Sequence, residues 1–331
     1  MTNRTIGPAS RFMIRLLHSE VTKVCPQPVT PAGRTMVKMG LITPANLIAA
    51  VLTLIPYLAV AFFPRFAAAR VDALPLWARL ASPAALAIPY LLVACGAGVF
   101  RWRWLALYAL LPVAIALLLA QAARLDRAQR GNWRDYLVLV VLGLAVDLRW
   151  FEGAWPAHLA VFSKILLLDA GIYGFVLLRR LENTGFDLRL NGSDLAYGLR
   201  EWAWYTPLAL LLGLALAFLH LHAAWPGADR IAIAWVFTFF FVAVPEELFF
   251  RGWLQNLLER RLGRNAALAV TACLFGLAHF NKRAAHFNWR YVLLAAMAGI
   301  AYGRAWRAQR RVAASAVTHA TVDAIWSLWL R

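Results

Sequence analysis

The sequence predicts an all-α fold, a polytopic transmembrane helix bundle of about 8–10 spans. Three observations carry that prediction. Hydrophobic residues make up 62% of the 331 positions and charged residues only 15%, whereas soluble domains are about 25% charged. Several apolar runs reach the roughly 20 residues needed to cross a hydrocarbon core of about 30 Å. The Lys and Arg residues behind a net charge of +18 gather in short segments between those runs, as expected of loops facing the cytoplasm and anionic lipid. Their expected partner is the lipid bilayer, and nucleic acid is not expected. The chain reads as a multi-pass integral membrane protein, expected in a bacterial inner membrane.

The elements follow in order. Residues 1–40 form a basic leader with six Lys/Arg and no continuous apolar run, so no cleavable signal peptide is expected. Arg11 to Glu20 has the pattern of a short interfacial helix that Pro26, Pro28 and Pro31 would end, although a disordered tail is the plainer expectation. Expected spans then run Leu41–Phe63, Pro83–Phe100 and Trp104–Ala120. Tyr136–Leu148 is short, and His158–Leu178 carries Lys164 and Asp169. Those two lie five apart, which suits a direct pair poorly, so each is expected to make packing contacts between helices. Turn-forming residues fill 179–201 (Asn183, Gly185, Asn191, Gly192, Asp194), which divides a front region, 41–201, from a back region, 202–331. Back-region spans are expected at Trp202–Leu221, Ile231–Leu258, Asn265–His279, Tyr291–Trp306 and Val312–Leu330.

With ten spans, the basic loops 65–82, 121–135, 179–201, 251–264 and 304–311 share one side, cytoplasmic by the positive-inside rule. The leader then falls on the other side, which points to a miscounted span near the start. Seven tryptophans near run ends (Trp102, Trp104, Trp202, Trp204, Trp289, Trp306 and Trp329) read as interfacial anchors. Cys25, Cys95 and Cys273 are far apart and form no CxxC pair, so neither a disulfide framework nor a zinc site is expected.

Charge inside this apolar setting identifies the candidate site. Pro245-Glu246-Glu247-Leu248-Phe249-Phe250-Arg251-Gly252 closes the apolar run from Ile231, and intramembrane ionisable residues are functional candidates. Glu247 and Arg251 lie four apart, in the favoured order for an ion pair. Glu246, one residue away, points elsewhere and is left free to act as a general base. Pro245 lacks an N–H and can kink the helix. A purely structural ion cluster would give the same pattern. His279 ends its span, with Phe275 on the same face and Gly276 allowing a neighbouring helix to approach. A lone histidine there also fits an interfacial or capping role. His319 and Asp323 share a face and suit an oxyanion donor pair, two metal ligands or a self-satisfied pair.

Taken together, Glu246-Glu247-xxx-Arg251, Phe275-xxx-His279 and His319-xxx-Asp323 resemble the three motifs of the CPBP family of intramembrane proteases. That family includes the eukaryotic type II CAAX prenyl endopeptidase and bacterial relatives, some called bacteriocin-processing or self-immunity proteins. The resemblance covers about residues 231–330. It implies a membrane-embedded catalytic cavity and a glutamate-type peptidase in which Glu246 and His279 activate water. Glu247 and Arg251 would support the site, and His319 with Asp323 would stabilise the oxyanion. No cofactor is implied, with zinc as a minor alternative in the absence of an HExxH motif. The prenyl endopeptidases carry Asn where this chain has Asp323, and an ionised Asp cannot donate to an oxyanion. It would act protonated, as a carboxylic acid in an apolar site can be, or by orienting His319. The expected partner is a membrane-associated peptide or protein, such as one with a C-terminal tag or CAAX-like end. Two other functions compete: a non-enzymatic immunity or scaffold protein, and a proton-coupled transporter in which Asp147, Lys164 and Asp169 would matter as much as the back-region residues.

Overall fold

A computed structural model describes residues 43–222, 224–282 and 286–330. The expected basic leader, its Arg11–Glu20 helix and Cys25 lie outside the described residues. Among those described, the chain is all helix and turn. The helices are α1 (Pro44–Phe62), α2 (Pro64–Asp72), α3 (Leu76–Gly96), α4 (Trp102–Leu125), α5 (Trp133–Asp147), α6 (Ala157–Leu178), α7 (Gly192–Ala215), α8 (Ala228–Leu262), α9 (Arg264–Leu277), α10 (Trp289–Gln309) and α11 (Val312–Trp329).

Five of these, α1, α3, α4, α6 and α8, are long and apolar enough to cross a membrane, and the protein is a multi-pass integral membrane bundle. The other expected spans are helices too, α5, α7, α9, α10 and α11. At 15 and 14 residues, α5 and α9 are short, covering about 22 Å at 1.5 Å per residue. Helix α10 carries Arg290, Arg304 and Arg307, and α11 carries His319 and Asp323. The polar residues that dilute α11 are those of the candidate site.

Local chemistry sets the boundaries. Asn132 and Asp135 form a reciprocal capping box on α5, and Asn191 and Asp194 form another on α7, each satisfying helix N–H groups that would otherwise lack partners. Pro245 does not end α8, which continues to Leu262. The Glu246–Arg251 stretch therefore lies inside a 35-residue helix, not at a helix end as the apolar run implied. Two widened π-helical segments, Phe239–Ala243 and Leu248–Gln255, flank Pro245, and such widening recurs at functional sites.

One hydrophobic core runs from Ala49 to Ala320 and joins both regions, with Leu248, Trp253 and Leu257 of α8 packed among residues of α1, α4, α5 and α6. The back region packs α9 on α10, α7 on α10 and α11, and α10 on α11. Small residues set the closest approaches. A Cβ on Gly276 would meet Val292 O at 2.5 Å, and one on Gly198 would meet Val317 Cβ at 2.7 Å.

The five basic loops do meet at one end of the bundle. Arg180 pairs with Asp72. Arg179 pairs with Asp126 at 2.6 Å and Asp135 at 3.0 Å. Arg260 donates to Gln129 O and Glu182 O, both at 2.7 Å. Arg307 and Arg310 hold Glu259 at 2.5 and 2.6 Å, and Arg311 holds Asp194 at 2.7 Å. At the loop surface, the Arg189 side-chain hydrogen bond, helped by Arg311, keeps the Asp187 carboxyl below its ordinary range. That contribution to stability is present above the ordinary carboxylate pKa and is lost as pH falls through the lowered value.

As their spacing implied, Lys164 and Asp169 do not pair with each other: Lys164 lies 3.8 Å from Glu152, and Asp169 is buried with no hydrogen-bond partner on either oxygen among the described residues. One expectation changes. Trp102, Trp204 and Trp289 are exposed, as anchors should be, but Trp306 is fully buried and its indole N–H faces Thr184 O at 3.4 Å. A tryptophan near a run end can cap the core as readily as it can sit in the interface.

The charge network separates structural from superficial pairs. Arg179→Met leaves Asp135 buried and unpaired, so it should cost about 3–5 kcal/mol. Arg189→Met removes a pair at the surface and should cost less than about 1 kcal/mol. Thermal unfolding of both variants in detergent measures the contrast, and equal losses would refute it.

Candidate active site

Glu247 is fully buried at the centre of the site. On α8, Arg251 lies one turn further on; its Nη1 donates to Glu247 Oε1 at 3.2 Å and its Nε lies 3.1 Å from Oε2. Nη2 of Arg251 donates to Gly299 O at 3.0 Å, and the guanidinium sits 4.7 Å above the Phe275 ring. From α11, the Ser315 hydroxyl donates to Glu247 Oε2, and His319 Nδ1 lies 2.7 Å from Oε1. Both carboxylate oxygens are thus occupied. A carboxylate can only accept, so His319 Nδ1 carries the proton and Nε2 is directed away from Glu247.

Nε2 of His319 faces two other carboxylates, Asp323 Oδ2 at 3.5 Å and Glu246 Oε2 at 4.0 Å. The imidazole is clamped from the side as well. Tyr302 stacks on it at 4.6 Å and 13°, and Phe275 meets it edge-on at 5.7 Å. Asp323 is i+4 from His319, so the helix alone brings these two together. Joining them to Glu246 and Glu247 needs α11 to pack along α8.

Glu246 differs from its neighbour. Its side chain is 29% exposed, and it makes no hydrogen bond among the described residues. The titratable groups that act on it electrostatically are Lys282, His319, His279 and Lys164, with Asp147 in the same field. Two of these, Lys164 and Asp147, belong to the front region. His279 is buried just beyond α9, and its Nδ1 meets Phe275 O at 2.8 Å. A carbonyl can only accept, so Nδ1 holds the proton and the neutral ring offers its Nε2 lone pair. No direct hydrogen bond joins Glu246 to His279.

A cavity of about 80 Å³ opens beside His279, His319 and Asp323, walled by side chains of α7, α10 and α11. Glu246 is not part of its wall. Among the described residues, no three His, Cys, Asp or Glu side chains are placed to hold a metal ion.

The structure gathers Glu246, Glu247, Arg251, His279, His319 and Asp323 in one place. Reading the sequence missed three contributors. Ser315 lies four residues before His319 on the same face of α11, a spacing that could have marked it. Tyr302 and the Gly299 carbonyl carry no signal, because their roles depend on where α10 packs.

Glu247→Leu strands Arg251 in the core and should cost about 3–5 kcal/mol, whereas Glu247→Leu with Arg251→Leu should recover much of the loss. Unfolding of the two single variants and the double variant gives the coupling. Additive losses would mean that the pair does not act as a unit.

Residues 228–325 match the family model for type II CAAX prenyl endopeptidase Rce1-like proteins. No curated protein and no solved structure matches the chain. The matched segment begins at α8, ends two residues beyond Asp323, and contains all six residues named above. Over residues 228–325 the chain thus carries a domain of the Rce1-like, type II CAAX prenyl endopeptidase family of intramembrane proteases.

Proposed function

We propose that this protein is an intramembrane glutamic-type endopeptidase that hydrolyses a peptide bond in a membrane-associated protein or peptide. The observation that carries this reading is the inequality of the two adjacent glutamates. Glu247 has both oxygens engaged by Arg251, Ser315 and His319, whereas Glu246 is partly exposed with no hydrogen-bond partner among the described residues. Glu247 is therefore the scaffold and Glu246 the base.

In this mechanism water sits between Glu246 and the His279 Nε2 lone pair. Glu246 accepts one of its protons, and the oxygen attacks the scissile carbonyl carbon. His319 acts as the imidazolium, its Nδ1–H held by Glu247 and its Nε2–H donating to the developing oxyanion, which interacts more strongly with the donor than the ground-state carbonyl does. As the tetrahedral intermediate collapses, the C–N bond breaks and Glu246 returns its proton to the leaving amine. Asp323 lies 3.5 Å from the same Nε2; it orients the imidazolium before substrate binds and yields Nε2–H to the oxyanion, a role that needs no donor of its own. The family's name makes a substrate with a C-terminal tag or CAAX-like end the leading candidate.

Glu246→Gln should abolish turnover while leaving thermal stability within about 0.5 kcal/mol, as expected of a partly exposed group outside the buried network. Mass spectrometry of membrane peptides incubated with the wild type and this variant is the test, and cleavage by both would sink the reading. Asp323→Asn should retain activity if orienting His319 suffices, whereas collapse of turnover would mean that the carboxylate itself is required. Turnover should also survive thorough chelation, and its loss would point to a metal-dependent route.

A further inference from the structure

The cavity beside His319 has two unlike ends. His279, His319 and Asp323 stand at one end. Trp202, Tyr205 and Ala209 of α7, together with Phe218, Ala298 and Trp326, build much of the remaining wall. Glu246 is not part of that wall. The two hydroxyls that α7 brings are already occupied: that of Tyr205 donates to Leu294 O at 3.0 Å, and that of Thr206 donates to Trp202 O at 2.8 Å. An occupant with its own polar groups would lose its water there without replacement, whereas an apolar one would not. Much of this wall also lies outside residues 228–325, since Trp202, Tyr205, Ala209 and Phe218 precede that segment and Trp326 follows it. The wall is a feature of this chain beyond what the family match covers.

We propose that this cavity is a specificity pocket for a bulky, uncharged apolar side chain next to the scissile bond. The proposal rests on the peptidase reading given above. A carbonyl placed at His319 Nε2 lies at the polar end of the cavity. The side chain one bond away is then within reach of the aromatic wall, because consecutive Cα atoms are about 3.8 Å apart. Water activation remains at that polar end, between His279 and Glu246, which is not part of the wall.

The test uses the full-length protein in detergent and a set of apolar peptides varied at one position, with products read by mass spectrometry. Wild type should cut next to Leu, Met or Phe at least about 10-fold faster than next to Gly or Asp, the discrimination expected of an apolar pocket. Ala209→Phe should fill the pocket and shift preference toward Gly and Ala by a similar factor, and Ala209→Leu should do so less. Thermal unfolding confirms that each variant is folded, the milder Leu variant serving if the Phe variant is not. A second arm measures binding without cleavage, using Glu246→Gln and two fluorescent peptides that differ only in Leu or Gly. The Leu peptide should bind more tightly, and adding Ala209→Phe should remove the difference. Leu-selective binding with no cleavage by wild type would refute the peptidase reading and leave the pocket standing. If Ala209→Phe changes neither preference nor binding, the cavity holds something else, such as a lipid acyl chain, and the proposal is overturned.

Discussion

The buried contact between Glu247 and Arg251 is the constraint on which the site depends. Neither charge tolerates the interior alone, so each must find partners, and those partners are the other helices of the back region. Arg251 reaches the Gly299 carbonyl of α10, and Glu247 reaches Ser315 and His319 of α11. Satisfying one ion pair therefore determines how three helices sit against each other. It also places a proton on His319 Nδ1, which must donate to Glu247. That contact turns Nε2 toward Asp323 and Glu246, where the candidate chemistry lies.

A second network works at the end of the bundle. Arg179, Arg260, Arg307, Arg310 and Arg311 join loops of the front region to loops of the back region. Together with the core that runs from Ala49 to Ala320, these pairs explain why residues outside 228–325 bear on the site. Lys164 and Asp147 act electrostatically on Glu246, and α7 walls the cavity beside His319. The matched segment supplies the reacting groups, and the rest of the chain supplies much of their surroundings.

The two faces of the site differ in kind. Around Glu246 the neighbours are charged and the carboxylate is partly exposed, as water access requires. Beyond His319 the wall is largely aromatic and aliphatic, and the hydroxyls of α7 are already engaged. A peptide hydrolase inside a membrane needs both properties at once, and His319 stands between them.

The fold class was legible in the sequence because a membrane span needs a long apolar run, which is a local property. The pairings Glu247–Arg251, Phe275–His279 and His319–Asp323 were legible for a similar reason: a helix brings residues four apart onto one face wherever it lies. Other features were not legible. Pro245 suggested a kink, and α8 continues through it with a widened segment on either side that the residues did not announce. Trp306 suggested an interfacial anchor, yet it is buried. Ser315, Tyr302 and Gly299 join the site only because α10 and α11 pack against α8, and the α7 wall of the cavity depends on the close approach at Gly198. Sequence by itself determined which groups are present and which share a helix face, because those follow from the 3.6-residue repeat. Only the tertiary structure decided which faces meet, because that depends on how all the buried charges of several helices are satisfied together.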